Sequence, residues 1–454
     1  MSTKIKTINP YTGKEIKSYN QFSKSTIETY LKRSETVFNT WSEEAISHRT
    51  KLLKNLSKNL IKHKQHYAAL MTEEMGKPIS QSLAEIDKCV FLSDFYAKNA
   101  DQFLADELIE TDAKESFISY DPLGCILAVM PWNYPFWQVL RFAIPTLTAG
   151  NTALLKHASN VTGCALAIQD LFLDSGFPEG CFQSLIINHE QVENLIADPR
   201  IKAVSLTGSE KAGKHISKIS GNNLKKAVLE LGGNNACIVL KDADLDKHIA
   251  TMVNARMQNT GQSCIAAKRF IVEESVYDEF LEKFKAKVVS LQVGNPVKEF
   301  TEVSVLARED LVEILQKQVN DSVKKGANIL IGNKTEKAFF APTILTDVKP
   351  GMPVFDEETF GPVAAIIKVK DAEEAYKTAT NSRFGLGTMV FTRDKSKAKK
   401  QILKIQDGAF FINELVKSDP RLPFGGTKAS GYGRELSKEG IHEFVNKKTV
   451  YINS

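Results

Sequence analysis

Residues 125–156 read CILAVMPWNYPFWQVLRFAIPTLTAGNTALLK, and this stretch sets the class of fold. The apolar runs at 125–130 and 151–156 have the length and composition of buried strands. Between them, 136–150 indicates a helix that ends at a glycine. Strand, helix and strand in this order are typical of parallel sheets that helices cover on both faces. We therefore predict an α/β protein.

The same alternation continues towards the middle of the chain. A helix is predicted at 161–175, and short apolar runs at 182–187, 202–207 and 226–231 predict three further strands. Residues 24–101 are predicted to be mostly helical, because their apolar residues recur every three or four positions. This first α/β region contains no GxGxxG, so the usual dinucleotide fingerprint is missing.

A second α/β region follows the glycine pair at 232–233, where we place the boundary between the regions. Its strands are predicted at 235–240, 269–274, 327–332, 361–369, 388–393 and 408–413, with helices at 242–255 and 277–291. Residues 115–121 and 448–453 alternate apolar and polar side chains. Both are predicted to be exposed strands at a subunit interface, because edge strands are natural pairing surfaces.

Length and composition limit the class of protein. With 454 residues, the chain is too long for one compact core and is predicted to have two or three domains. Its net charge of +5 is small and spread along the chain, which gives little support for a nucleic-acid partner. The sequence contains neither an apolar run long enough for a membrane span nor a signal-peptide pattern. The six cysteines form no metal-ligand spacing, which argues against zinc and disulfides and favours a reducing cytoplasm.

Cys264 is the candidate nucleophile. It ends the polar segment Gln-Asn-Thr-Gly-Gln-Ser-Cys at 258–264, where a cysteine is a poor core residue. A free thiol titrates near ~8.5, so little of it is thiolate at neutral pH. A catalytic cysteine therefore needs a nearby base, a positive charge or a helix N-terminus.

Two residues at strand ends are candidates to assist the reaction of Cys264, one as a base and one as a hydrogen-bond donor. Glu230 ends an apolar strand before Gly-Gly, where burial would raise its pKa and suit it to be a general base. The alternative is a charged strand terminus. Asn133, in Pro-Trp-Asn-Tyr-Pro, could donate its amide N–H to an oxyanion. The alternative is an N-cap of the following helix.

Other residues after strand ends are candidate contacts of a nucleotide. Lys156 would point into the ligand crevice or be a solvated lysine. Gly208 and Ser209 would let a pyrophosphate approach the backbone or form a simple turn. Glu358 would accept hydrogen bonds from ribose hydroxyls, with Phe360 on a flat ring, or lie in an ordinary loop.

These motifs occur together and in order. They are Pro-Trp-Asn, Leu-Lys, Thr-Gly-Ser, Leu-Glu-Leu-Gly-Gly, Gly-Gln-Ser-Cys, Glu-Thr-Phe-Gly-Pro and Pro-Phe-Gly-Gly. In this combination the chain resembles the aldehyde dehydrogenase superfamily over essentially its whole length. Its Lys-His-Ala segment and its Gln-Asn-Thr-Gly-Gln segment are most similar to the bacterial NAD(P)-dependent succinate-semialdehyde dehydrogenase branch.

The resemblance implies a subunit with three parts: two Rossmann-like α/β domains with parallel sheets and a small β oligomerisation arm. A dinucleotide-binding domain is expected at 1–103 and 123–231, and a catalytic domain at 232–433. The arm is expected at 104–122 and 434–454. The resemblance also implies a homodimer or homotetramer that acts on a small aldehyde, without a metal, membrane or nucleic-acid partner.

The resemblance assigns roles to the candidate residues. Cys264 is expected to be the nucleophile and Glu230 the general base, while Asn133 and the backbone N–H of Cys264 form the oxyanion hole. The implied reaction oxidises an aldehyde to its acid with NAD(P)+, through a thiohemiacetal and a thioester of the cysteine. The implied cofactor contacts are Trp132, Asn133, Lys156, Ser159, Gly208, Ser209, Leu231, Glu358 and Phe360.

Position 159 bears on the choice of cofactor. NAD-preferring relatives often have a glutamate there, whose carboxylate repels a 2′-phosphate. Here the residue is Ser159, which is small and neutral, with Lys156 nearby. NADP is therefore predicted to be usable, with NAD as the alternative.

The resemblance implies succinic semialdehyde as the substrate, and four positions bear on its distal carboxylate. Arg141 and Ser418 match an arginine and a serine that hold this carboxylate in relatives. Gln258 stands where many relatives have a second arginine, which weakens the expected grip. Arg421 would compensate or be a surface arginine.

The sequence is also compatible with two functions other than the oxidation of succinic semialdehyde. One is a broad-range enzyme, or one that oxidises phosphorylated or aromatic aldehydes. The other is a non-catalytic binding protein of the same fold, although Cys264, Glu230 and Asn133 are all present. Asn234, where relatives usually have lysine, has no functional interpretation, and Ala266 replaces the cysteine that forms a redox-sensitive disulfide in some relatives.

Overall fold

The computed structural model describes residues 4–453, in which fifteen helices are assigned. They are α1 (Lys24–Trp41), α2 (Ile46–Lys62), α3 (Lys64–Met75), α4 (Ile79–Leu104), α5 (Pro135–Thr148), α6 (Thr162–Asp174), α7 (His189–Ala197), α8 (Glu210–Asn222), α9 (Leu245–Met257), α10 (Tyr277–Val289), α11 (Glu309–Lys324), α12 (Pro353–Asp356), α13 (Ala372–Thr380), α14 (Lys395–Lys399) and α15 (Ser437–His442). Short 3₁₀ turns at Ser159–Val161 and Gln258–Gly261 lie beside the candidate site residues.

The same residues contain twenty-two strands. They are β1 (Lys4–Ile8), β2 (Glu15–Asn20), β3 (Glu107–Leu108), β4 (Glu115–Pro122), β5 (Cys125–Met130), β6 (Thr152–His157), β7 (Phe182–Ser184), β8 (Ile201–Thr207), β9 (Lys226–Glu230), β10 (Asn235–Val239), β11 (Ala267–Glu273), β12 (Asn328–Ile331), β13 (Thr335–Glu336), β14 (Phe339–Phe340), β15 (Thr343–Thr346), β16 (Val363–Val369), β17 (Phe384–Gly385), β18 (Thr388–Phe391), β19 (Phe410–Ile412), β20 (Thr427–Lys428), β21 (Gly431–Tyr432) and β22 (Val445–Ile452).

The first large sheet has six strands in the order β21-β9-β8-β5-β6-β7. All neighbours pair in parallel except β21, which pairs antiparallel with β9. Every residue of α5 is buried, because this helix lies between the sheet and the helices α2 and α4. The predicted strand–helix–strand unit at 125–156 is confirmed.

The second large sheet has seven strands in the order β12-β15-β16-β11-β10-β18-β19. Its pairs are parallel except for β12 with β15. β10 begins five residues after β9 ends, and the glycine pair at 232–233 lies in this short connection. Two parallel-rich sheets in series confirm the predicted α/β class.

A third sheet has three antiparallel strands in the order β22-β4-β3. β22 pairs with β4 over its whole length and leaves most of its residues exposed. The predicted strands at 115–121 and 448–453 are therefore present, and the second begins three residues earlier than predicted. The assignment of this sheet to a subunit interface stays a prediction.

Three details differ from the sequence analysis. The strand predicted at 182–187 ends at Ser184, because Asn188 already caps α7 by accepting a hydrogen bond from the Gln191 N–H at 2.9 Å. Helix α11 was not predicted, although its buried Val312, Leu315 and Val319 form a helical stripe. The N-terminal hairpin β1–β2 was also not predicted.

The topology brings the candidate residues to one edge of the first sheet. Parallel strands end on the same side, so the ends of β5, β6, β8 and β9 lie next to one another. The loop that contains Cys264 joins α9 to β11 of the second sheet. The Asn133 side chain bonds to this loop, which places the cysteine at the edge of the first sheet.

Candidate active site

A cavity of about 350 Å³ lies between α4, α5 and the loop of Cys264. The two helices line it with residues spaced by three and four positions, which is the spacing of one helical face. From α4 these residues are Gln81, Ala84, Glu85 and Lys88. From the start of α5 they are Tyr134, Trp137, Gln138 and Arg141. The other walls are Asn254, Ala255, Gln258, Ser263, Cys264, Ile265, Ala266, Leu415, Val416, Lys417, Ser418 and Phe424.

Cys264 is a half-buried free cysteine, whereas the other five cysteines are fully buried. Burial raises the pKa of its thiol to about 11. The Lys268 and Arg141 cations act in the opposite direction, and the nearby Glu230 carboxylate adds to the rise. The thiol is therefore protonated at neutral pH in the unliganded protein and needs a base or a bound charge to become a nucleophile.

The loop before the cysteine has an uncommon backbone conformation. Asn259, Thr260 and Gly261 have φ angles of 56°, 53° and 74°. The left-handed region is unfavourable for a β-branched threonine. The buried Arg256 holds the loop, because its Nη2 donates to the carbonyls of Gly261 and Gly361 at 2.6 Å each. Strain that surrounding bonds maintain in this way is a common feature of functional loops.

Asn133 is fixed by the same loop. Its Nδ2 donates to the Gln262 carbonyl at 3.1 Å, and its own carbonyl accepts from Asn259 Nδ2 at 2.8 Å. A side-chain amide carries two N–H donors, so one remains for a ligand oxygen. The interpretation of Asn133 as the N-cap is wrong, because Tyr134 occupies the N-cap position of α5.

The N-terminus of α5 is instead held by Glu85 of α4. Its Oε1 accepts the N–H groups of Phe136 and Trp137 at 2.9 Å each. Its Oε2 forms a buried ion pair with Lys77, whose ammonium lies 3.8 Å from the centre of the Tyr134 ring. Two N–H groups that the helix cannot satisfy are thus bound to a carboxylate, which fixes the start of α5 next to Asn133.

Glu230 ends β9 and is 2% exposed. Neither carboxylate oxygen accepts a hydrogen bond within residues 4–453. Burial raises the pKa of Glu230, the neighbouring Glu435 raises it further, and Arg141 lowers it. A carboxyl group with a pKa raised towards neutrality suits a general base.

Arg141 is buried, and its Nε lies 2.5 Å from Glu435 Oε2. Its guanidinium also lies 4.7 Å from the centre of the Phe424 ring, and its Nη2 is 3.5 Å from Thr207 Oγ1. Glu435 follows β21 and was not identified from the sequence. The chain thus returns from the second sheet to place a carboxylate beside both Arg141 and Glu230.

The other predicted substrate residues separate into two groups. Gln258 and Ser418 line the cavity of Cys264, and Ser418 Oγ accepts a hydrogen bond from Lys88 at 2.6 Å. Arg421 lies outside the cavity and is exposed. Its Nε and Nη2 donate to the two oxygens of Asp419 at 2.8 and 2.6 Å, so the guanidinium has a local partner. Its surroundings fit the surface alternative.

The predicted cofactor residues on the first sheet fit a phosphorylated nucleotide. Lys156 is buried at the end of β6, and within residues 4–453 no carboxylate oxygen lies within 4.0 Å of its ammonium. Burial lowers the pKa of this lysine, which an anionic ligand would reverse. Ser159 is exposed at the start of the next turn and carries no charge. A neutral residue and a cation at this position admit a phosphate.

The start of α8 has the open backbone that a pyrophosphate needs. Ser209 caps the helix by accepting the Ala212 N–H at 3.3 Å, and Gly208 precedes it. Leu231 packs so closely on Gly213 that a Cβ there would lie 2.5 Å from it. The helix N-terminus supplies N–H groups and a favourable dipole for anions.

The remaining predicted cofactor residues lie between the two large sheets. They are Glu358, Phe360 and Trp132. Glu358 accepts the Gly233 N–H at 3.0 Å. The Phe360 and Trp132 rings meet edge to face with centres 5.7 Å apart. The Gly233 contact is made to Oε1, so Glu358 Oε2 can accept a hydrogen bond from a ribose hydroxyl. The two aromatic rings lie beside it.

Lys268 connects this group to the nucleophile. Its buried ammonium donates to the carbonyls of Ser263 and Cys264 at 2.8 and 2.7 Å, and it lies 3.2 Å from Glu358 Oε1. The lysine therefore places a positive charge beside the thiol and ties the cysteine loop to a predicted cofactor residue.

Besides Glu435, four site residues were missed in the sequence: Glu85, Lys88, Arg256 and Lys268. For three of them the sequence contains a feature that could have identified them. Glu85 and Lys88 lie three positions apart on the inner face of α4. Lys268 is the second residue of the apolar strand β11 and is followed by the buried cation of Arg269. Charged side chains in buried segments are uncommon and mark sites or structural networks.

Asn234 has a structural explanation. It is buried, its Nδ2 donates to the Phe355 carbonyl at 2.6 Å, and its backbone carbonyl accepts from Arg269 Nε at 3.1 Å.

Within residues 4–453, no group of three His, Cys, Asp or Glu side chains could hold a metal ion. None of the helices described in that range is long and apolar enough to cross a membrane.

The raised pKa of Cys264 makes a testable prediction. The reactive form is the thiolate, so inactivation by iodoacetamide is expected to accelerate about tenfold per pH unit between pH 7 and 9. Lys268→Met removes a cation that lowers this pKa and is expected to slow alkylation at each pH. Lys285→Met, on the exposed side of α10, is the matched control. An alkylation rate that is already constant above pH 7.5 would contradict the buried protonated thiol.

The chain is similar to known proteins over nearly its whole length. The model described as "Aldehyde dehydrogenase family" matches residues 1–450. A probable NADP(+) succinate-semialdehyde dehydrogenase of Synechocystis is 47% identical over 451 residues, which cover 99% of each chain. NADP(+) succinate-semialdehyde dehydrogenase 1 of Mycobacterium tuberculosis is 44% identical, again over 99% of each chain. The crystal structure of a Streptococcus pyogenes succinic semialdehyde dehydrogenase in complex with NADP+ superposes with a TM-score of 0.97 at 36% identity, covering 99% of this chain and 100% of the other.

Proposed function

We propose, from the premise that this chain belongs to the aldehyde dehydrogenase family, that it oxidises succinic semialdehyde to succinate with NADP+. One observation carries the choice of substrate. The thiol of Cys264 shares a cavity with the Arg141 guanidinium and the Ser418 hydroxyl. A guanidinium and a hydroxyl suit a carboxylate at the far end of a short aldehyde.

The catalytic residues act in sequence on the aldehyde carbon. The Cys264 thiol gives up its proton to water, which the Lys268 cation beside it favours, and the thiolate adds to the carbonyl carbon. The free N–H of Asn133 binds the resulting oxyanion. NADP+, when bound, would accept the hydride that the thiohemiacetal carbon loses, and this loss leaves a thioester on Cys264. Glu230 then takes a proton from a water molecule, which hydrolyses the thioester of Cys264 and releases the acid.

The preference for NADP+ rests on the neutral Ser159 and the buried Lys156. A 2′-phosphate would meet a hydroxyl and an ammonium there and no local carboxylate among residues 4–453. The names of the Synechocystis and Mycobacterium tuberculosis relatives both specify NADP(+), and the Streptococcus structure contains NADP+. These facts support NADP+ over NAD+ for this chain.

The domain roles and assembly belong to the same proposal. We assign dinucleotide binding to 1–103 and 123–231, catalysis to 232–433, and oligomerisation to 104–122 and 434–454. The exposed apolar side chains of Leu108, Ile109, Tyr451 and Ile452 support assembly into a homodimer or homotetramer. Light scattering of the purified protein measures the number of subunits and tests this assembly.

The six free cysteines fit a reducing cytoplasm.

A steady-state panel of aldehydes with NAD+ and NADP+ tests the proposed function. The highest kcat/KM is expected for succinic semialdehyde with NADP+, measured by the absorbance of the reduced nicotinamide. Ser159→Glu is expected to lower kcat/KM with NADP+ roughly 100-fold, because its carboxylate would face the 2′-phosphate. Ser47→Glu, on the exposed surface of α2, is the control for added charge.

The same panel can reject the proposal. Equal rates for butanal and succinic semialdehyde would favour a broad-range enzyme. An NAD+ preference that Ser159→Glu leaves unchanged would show that position 159 does not select the cofactor.

A further inference from the structure

Lys88 is held in the cavity by two contacts from different elements. Its Nζ donates to Ser418 Oγ at 2.6 Å and lies 4.0 Å from the centre of the Trp137 ring. Lys88 itself belongs to α4, Trp137 to α5, and Ser418 to the loop before Phe424. The ammonium therefore has a defined position on the wall that faces the reactive cysteine.

The charges that line the cavity distinguish this lysine from the others. Four charged side chains line it, and three of them have a partner of opposite charge within 4.0 Å. These pairs are Arg141 with Glu435, Glu85 with Lys77, and Lys417 with Glu414. Within residues 4–453, no carboxylate oxygen lies within 4.0 Å of the Lys88 ammonium.

An ammonium without a counter-ion in a half-buried cavity is costly, and a ligand carboxylate would remove that cost. The ammonium has three N–H donors, and Ser418 accepts one of them. Two donors remain for a ligand. The Trp137 face stabilises the cation without neutralising it.

We propose that the Lys88 ammonium, positioned by Ser418, binds the distal carboxylate of the aldehyde and is the second cation of its binding site beside Arg141. This inference rests on the proposed function. The neutral Gln258 lines the same cavity, and Arg421 lies outside it with Asp419 as its partner. Lys88 thus supplies from α4 the charge that neither of those positions supplies.

The protonation of Lys88 gives the site a pH dependence. Its pKa is lowered to about 7, mainly by burial and also by the Arg141 cation, while Cys89, Glu85 and Asp419 act in the opposite direction. A bound carboxylate favours the charged form. As pH rises above 7 the unliganded lysine loses its proton, so the preference for a carboxylate substrate is expected to fall.

The test compares kcat/KM for succinic semialdehyde with that for butanal, which has the same four-carbon chain without the carboxylate. Lys88→Met is expected to lower this ratio roughly 10- to 100-fold, mainly through KM for succinic semialdehyde. Lys88→Arg keeps a cation at every pH and is expected to retain most of the ratio and remove its decline above pH 7. Lys98→Met, exposed on the same helix, is the matched control.

The outcomes separate this inference from the proposed function. If the wild-type protein prefers succinic semialdehyde and Lys88→Met keeps that preference, the role of Lys88 is rejected and the proposed function stands. An equal loss for both aldehydes would also reject it, because it would mean that Lys88 only supports the fold. If the wild-type protein shows no preference, both the proposed function and this inference are overturned.

Discussion

Replacing Cys264 with alanine is expected to lower the oxidation of every aldehyde by roughly 10⁴-fold or more, because Cys264 supplies the one thiol among the residues that line the cavity. The other five cysteines are buried in the core and cannot substitute for it. Cofactor binding should persist, since the predicted contacts lie on the first sheet and around Glu358. Steady-state rates and calorimetric titration with NADP+ measure the two effects.

Cys237→Ala is the matched control for this variant. Cys237 is fully buried in β10, and burial raises the pKa of its thiol. The control should lose stability from the missing sulfur and keep its turnover. Substantial turnover in Cys264→Ala would reject the nucleophile, whatever happens to the control.

The second large effect concerns Glu230. Glu230→Gln has nearly the same shape, and the wild-type carboxylate oxygens accept no hydrogen bonds within residues 4–453, so the fold should be retained. Without a base, water attacks the thioester slowly. We expect a burst of about one NADPH per active site, then a steady rate lowered roughly 10²- to 10⁴-fold. Rapid mixing measures the burst, and hydroxylamine should restore turnover by cleaving the thioester.

The pH dependence of the wild-type enzyme gives an independent check. The base must be ionised, and burial raises the pKa of Glu230. Hydrolysis should therefore weaken with falling pH well above the value of about 4.3 of an ordinary glutamate. Glu273→Gln, which changes a buried carboxylate bound to the Lys241 N–H, is the matched control. Loss of the burst itself in Glu230→Gln would contradict a role confined to hydrolysis.

Much of the fold follows from local patterns. The strands at 125–130 and 202–207 and the helix at 277–291 could be predicted because buried runs and apolar stripes are properties of adjacent residues. The antiparallel direction of β12 and the pairing of β21 with the first sheet could not. These depend on where the chain returns after long separations, and no local period encodes such a return.

The candidate site divides in the same way. Cys264, Glu230 and Asn133 could be named as candidates from the sequence, because each lies in a short motif of adjacent residues, and their roles stay predictions. Their environment was settled by packing. The ion pair of Arg141 with Glu435, the hydrogen bonds from α5 to Glu85, and the hydrogen bond from Lys88 to Ser418 join residues that are far apart in the chain. Charge compensation is a property of distances in space, so a sequence lists the charges and only the folded chain shows which of them are paired.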